Sequence, residues 1–149
     1  MKIINRITNI ICIIIIAAMV VILILNWNSL PDKVPTHFSF DGTPNAFGSK
    51  ATLLIEPIIA IVLFVLISVA KHFPKAWNFP VKITAENKKR EYMIASIMLN
   101  AINVLITLLL LITLLSAIIS EFPTWTMLIG VAIILVVPIA GTVLMFKAR

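Results

Sequence analysis

The stretch Ile10-Ile11-Cys12-Ile13-Ile14-Ile15-Ile16-Ala17-Ala18-Met19-Val20-Val21-Ile22-Leu23-Ile24-Leu25 contains no charged or strongly polar side chain. With Ile7 and Thr8 ahead of it, and a tilt, it is long enough as a helix to cross a hydrocarbon core of about 30 Å. Lys2 and Arg6 precede it in the manner of a signal peptide, but it ends in Asn26-Trp27-Asn28, with no small-x-small cleavage site. The pattern predicts an uncleaved signal-anchor helix over residues 8–26.

Working outward, three more apolar runs follow, and they predict spans at about 51–70, 92–119 and 125–146. The expected fold is therefore an all-α integral membrane protein, a single domain over residues 1–149 built as a four-helix transmembrane bundle. Only Glu121, Phe122, Pro123 and Thr124 remain to connect the last two spans, which demands an antiparallel pair. A β-barrel is excluded because the runs are continuous rather than alternating. The composition agrees: of 149 residues, 61% are hydrophobic and 12% charged, with mean hydropathy +1.13. Soluble domains carry about 25% charged residues, so a soluble globular enzyme and a disordered chain are both excluded.

The net charge of +6 would suggest nucleic acid in a soluble protein, but here its placement decides. Lys2 and Arg6, then Lys71, Lys75, Lys82, Lys88, Lys89 and Arg90, then Lys147 and Arg149 all fall on one face of a four-span layout. Only Lys33 and Lys50 fall on the other. The positive-inside rule puts both termini and the connection 71–91 in the cytoplasm and the loop 26–50 outside. The charge then reports sidedness in a cell membrane, and no nucleic-acid partner is expected. Trp27, Trp77 and Trp125 fall at span ends, where indole rings favour the interface.

The outer loop is turn-rich, with Pro31, Pro35, Pro44 and Asp41-Gly42. Thr36, Phe38 and Phe40 alternate with His37 and Ser39, which predicts a short strand followed by a tight turn at Asp41-Gly42. A structured cap is expected, laying Phe38, Phe40 and Phe47 on the bundle end or in the headgroups. On the inner side, Thr84 is expected to cap the third helix, with the charged run 88–91 as its solvated start.

Leu30-Pro31, Val34-Pro35-Thr36-His37-Phe38, Gly42-Thr43-Pro44 and Phe47-Gly48-Ser49-Lys50 together resemble the bacterial membrane domain of unknown function found at the N-terminus of SdpI-type toxin-immunity proteins. The segment 78–92 is similar to the inner loop of its stand-alone members. The resemblance covers a little over half the chain, and the second membrane domain of the immunity proteins has no counterpart here. It implies a membrane-embedded, immunity-type or signalling role, with Pro35, His37, Phe38, Asp41, Gly42, Pro44, Gly48 and Lys50 either ordering the loop or contacting a partner.

Histidine suits metal ligation, pH sensing or peptide contact, and His37 has all three open to it beside a purely structural hydrogen bond within the loop. With Asp32 and Asp41 it shows no recognised metal spacing, so neither metal nor cofactor is expected. Glu56 lies just inside the second span, and ionisable groups there are functional candidates by default; pairing with Lys50 or the loop is the structural alternative. Asn100 and Asn103 share a helix face in the third span, and with Glu56 they are expected to form one intramembrane polar cluster. Cys12 is expected to be inert. No nucleophile set, HExxH, Walker or Rossmann motif occurs. The leading expectation is a non-enzymatic membrane protein that recognises a peptide toxin or membrane-protein partner through the outer loop, with homo-oligomers compatible. The rival is a small transporter- or channel-like subunit using Glu56, Asn100 and Asn103.

Overall fold

In the computed structural model, which describes residues 1–39, 41–119, 123 and 125–147, the isoleucine-rich stretch lies within helix α1, Lys2–Asn26. β-branched residues are modest helix formers in water, but in an apolar solvent the helix satisfies every backbone donor and acceptor internally. The chain continues into strands β1 (Lys33–Phe38) and β2 (Pro44–Ser49), a 3-10 turn at Lys50–Leu54, and helix α2 (Ile55–Ala70). Helices α3 (Lys88–Ile118) and α4 (Trp125–Lys147) complete it. Four helices are long and apolar enough to cross a membrane. The chain is a mostly helical, multi-pass membrane protein.

The boundaries differ from expectation in physically understandable ways. α1 begins six residues early and α3 four residues early, so both project past the apolar run. Thr84 does not start α3 directly. Its backbone N–H donates to Asn87 Oδ1 (2.8 Å) while Asn87 N–H donates to Thr84 Oγ1 (3.3 Å), a reciprocal capping turn that hands over to the helix at Lys88. Nor is the start of α3 fully solvated: Glu91 is completely buried, with Oε1 held by Arg90 at 2.7 Å. The short connection before α4 and Phe40 fall largely outside the described residues.

α3 is the central element, packing against α1, α2 and α4. Its buried side chains are chiefly polar: Glu91, Ser96, Asn100, Asn103, Thr107 and Ser116, with Leu114. This is the arrangement expected where lipid is as apolar as leucine, so that polar and small groups go inward and large apolar ones outward. α1 contributes Cys12, Ile16, Met19 and Leu23 at spacings of three and four, one face of a helix. The interior is thus divided lengthwise. Towards one end Asn5 and Thr8 meet polar residues of α3, and Asn9 meets Ser68 and Lys71 at the end of α2; towards the other Ile16, Met19, Leu23, Leu53, Ala60 and Leu114 form an apolar core. Where α4 crosses α3, a Cβ on Gly141 would lie 2.0 Å from Met98 Sδ, so glycine is what permits that approach.

The predicted single strand is one half of an antiparallel hairpin, β1 with β2. Alternation in residues 44–49 is obscured by Pro44 and Gly48, so the second strand is not legible from side-chain pattern. The turn is closed by Ser39 N–H to Thr43 O (2.8 Å) and Gly42 N–H to Ser39 O (2.9 Å), with Gly42 at φ 84°. That left-handed conformation is open to glycine at little cost.

Candidate functional site

The hairpin is pinned to the bundle end through side chains. Val34 is fully buried and, with Leu30, joins the apolar core beside Leu53 and Leu114. Lys50 reaches back to the end of α1, donating to Trp27 O (3.3 Å) and Leu30 O (3.4 Å), with its ammonium 5.5 Å from the Trp27 ring centre. A cation on the free carbonyls that end a helix is favoured by the helix dipole. Ser49 accepts from Ala51 N–H and so caps the 3-10 turn, and a Cβ on Gly48 would sit 2.8 Å from Thr36 Cγ2. Gly48-Ser49-Lys50 is therefore a locking segment, each residue with its own task. Asp41 accepts from the Thr43 backbone N–H (3.0 Å) and hydroxyl (2.7 Å), which hold its carboxyl below the usual carboxylate range. His37 is exposed, and its Nδ1 pairs with Asn45 Oδ1 across the strands, a side-chain partner rather than loop backbone.

Two grooves flank the hairpin. One, of about 500 Å³, runs between Leu30, Pro31, Phe38, Pro44 and Phe47 on the hairpin side and Ser116 to Ile118 on α3. The other, of about 510 Å³, lies between β1, including His37, and α2, α3 and α4, with Glu56 in its wall. These are volumes of the size that ordinarily receives small ligands or peptide side chains.

The expected cluster of Glu56, Asn100 and Asn103 is not formed. Glu56 lies by Thr113 near the hairpin end, whereas Asn103 and Asn100 lie about three and about four helical turns away along α3. At about 1.5 Å rise per residue, the ten positions from Asn103 to Thr113 amount to about 15 Å. The asparagines belong instead to a seam joining α1, α2 and α3. Asn100 Nδ2 donates to Asn5 Oδ1 (2.6 Å) and Ser96 O (2.8 Å), and its Oδ1 accepts from Thr8 Oγ1 and from Lys71 Nζ (3.0 Å). Lys71 Nζ also donates to Asn9 Oδ1 at 2.7 Å, and Asn103 Nδ2 reaches Ser68 Oγ at 3.5 Å.

Lys71 is the residue that sequence reasoning placed wrongly in kind. It reads as one of the basic flanking residues, but it is buried and its ammonium is solvated by two amide oxygens at the C-terminal end of α2. A signal for the seam exists in Asn5 and Asn9, four apart on α1, and in Ser96, Asn100, Asn103 and Thr107 at spacings of four, three and four on α3. At the same end Trp77 Nε1 donates to Ala70 O (2.8 Å), and its ring stacks on Tyr92 at 5.9 Å. Among the described residues no group of three histidines, cysteines or carboxylates is placed to hold a metal.

Fold and site together define a multi-pass membrane protein whose first two helices carry a docked hairpin. The family match falls on that same part. Residues 13–61, most of α1 through the first turns of α2, match the family model described as a domain of unknown function, DUF1648. An uncharacterized protein of Archaeoglobus fulgidus is 34% identical over 76 residues, covering 46% of this chain and 42% of its own length. The chain thus spans less than half of that relative. No solved structure matches.

Proposed function

We propose that this chain is a non-enzymatic protein of the bacterial cytoplasmic membrane that recognises a peptide, or a segment of another membrane protein, through the hairpin. The observation that carries this reading is the docking of the hairpin. Val34 and Lys50 fix it to the bundle, so it presents a preorganised groove with Phe38, Pro44 and Phe47 on its wall. A rigid surface loses less conformational entropy on binding than a mobile loop. Phe47 is 60% exposed, an aromatic of the kind enriched in recognition surfaces.

The orientation belongs to the same proposal. The basic residues of the 71–91 connection and both termini favour the cytoplasmic side, so the hairpin faces outward. The resemblance of residues 30–50 to SdpI-type proteins supports the narrower version, in which the partner is a secreted toxic peptide and the protein acts as an immunity factor. The transport-type rival is weakened by the separation of Glu56 from the asparagines and by the engagement of the Asn100 side chain with Asn5, Thr8, Lys71 and Ser96.

Crosslinking and capture from intact cells, comparing the natural chain with Phe38→Ala and Phe47→Ala, tests the reading. A captured external partner whose yield falls at least tenfold in the variants supports it. Equal capture by all three, or none by the natural chain, overturns it. Impermeant maleimide labelling of Phe47→Cys but not Lys147→Cys in intact cells checks the orientation. Survival of expressing cells challenged with an SDP-type peptide checks the immunity version.

A further inference from the structure

The groove beside Glu56 shares Pro35, Phe38 and Ala117 with the one just described but is otherwise lined by different residues, Glu56 among them. Its floor and sides are apolar, with Ile59 of α2, Leu109 and Leu110 of α3 and Met127 of α4. One carboxylate stands in this wall, half-buried, with the Thr113 hydroxyl beside it and Thr36, His37 and Thr52 as further polar residues of the lining. The single hydrogen of the Thr113 hydroxyl is directed to Leu110 O at 2.9 Å.

Among the described residues no basic side chain is within ion-pair distance of Glu56. Lys50, the nearest cation in sequence, is turned onto the carbonyls of Trp27 and Leu30 and lies 3.9 Å from Asp32. In a chain of net charge +6 the lack of a counter-ion here is not for want of cations. A carboxylate lifted out of water beside apolar walls is costly; its place in the first turn of α2 offsets part of that cost through the helix dipole, and the volume of about 510 Å³ leaves room for a full counter-charge.

We propose that this groove binds a small amphipathic amine, a primary ammonium carried on an apolar chain. The ammonium pairs with Glu56 and donates to its oxygens, and the chain lies against Ile59, Leu109, Leu110 and Met127. His37 lines the mouth, with Nδ1 already engaged by Asn45. The same head chemistry is available from a free amine and from the ethanolamine headgroup of a phospholipid. The site does not depend on what the hairpin recognises.

The test uses the full chain in phosphatidylcholine nanodiscs and a diazirine-bearing octylamine as photoprobe, with labelled residues mapped by mass spectrometry. Expected is labelling concentrated around Leu109, Leu110 and Met127, suppressed by excess octylamine but not by octanol. Glu56→Gln, which keeps the side-chain shape, lowers that labelling at least tenfold, while Glu56→Asp retains part of it. Helical content by circular dichroism checks that both variants are folded. Adding phosphatidylethanolamine to the nanodiscs separates the sources: competition assigns the site to the lipid headgroup, and its absence to a free amine. Labelling spread evenly over the lipid-facing helices, or unchanged in folded Glu56→Gln, overturns the proposal.

Discussion

Asn100 uses both amide hydrogens and both acceptor positions of its side chain, on Asn5 and Thr8 of α1, Lys71 at the end of α2 and Ser96 one turn back on its own helix. Such saturation makes its removal expensive, because each partner is left with an unmet group in a low-dielectric interior. Single polar contacts between membrane helices average about 0.6 kcal/mol, and stranding a buried partner adds to that. Asn100→Leu is expected to lower unfolding stability in detergent by about 1–2 kcal/mol, measured by reversible denaturation, with a Lys71→Met second change recovering part of the loss. At the hairpin tip, Asp41 behaves in the opposite sense to a buried acid. Its carboxyl is held below the usual range by Thr43, so its contribution is present above the ordinary carboxylate pKa and lost as the pH falls through the depressed one. Amide exchange at Thr43 is expected to speed up, relative to the rest of the hairpin, as the pH drops below the usual carboxylate range. In Asp41→Ala this acid dependence is absent.

At the scale of elements, two close approaches carry the packing. The hairpin closes only because residue 48 lacks a side chain opposite Thr36. Gly48→Ala is expected to raise hydrogen exchange across β1 and β2, and Thr36→Ser, which removes the obstructing Cγ2, to restore protection in the double variant. α3 and α4 meet at Gly141 against Met98 in the same way. Gly141→Val is expected to lower the melting temperature, with Met98→Ala recovering part of it. Both glycines stand out in the sequence, but the reason for each is a side chain far along the chain. Only the second half of β1 was legible, because the alternation read over residues 36–40 overlaps it at 36–38, whereas its partner strand was hidden by proline and glycine, which carry little pattern.

For the whole molecule the testable statement is which helices face which. Disulfide trapping after Cys12→Ser should join Ser68→Cys with Asn103→Cys and Glu56→Cys with Thr113→Cys. It should fail for Glu56→Cys with Asn103→Cys. A strong Glu56–Asn103 crosslink would mean that α2 and α3 are offset by two to three turns from the arrangement described.

The division of labour between sequence and fold follows from the range of the forces involved. Span number, span length and the one-sided distribution of basic residues are properties of local composition, because the bilayer is a solvent that each twenty-residue segment meets on its own. The sequence by itself therefore determined that four helices are long and apolar enough to cross a membrane, and that an ordered motif lies between the first two. It also singled out Glu56, Asn100 and Asn103 as polar groups in apolar surroundings. Which of them meet was decided only by tertiary structure, since burial, rotation about each helix axis and axial offset arise from packing between segments far apart in the chain. That packing drew Lys71 inward to the asparagines and left Glu56 alone in a groove beneath the hairpin.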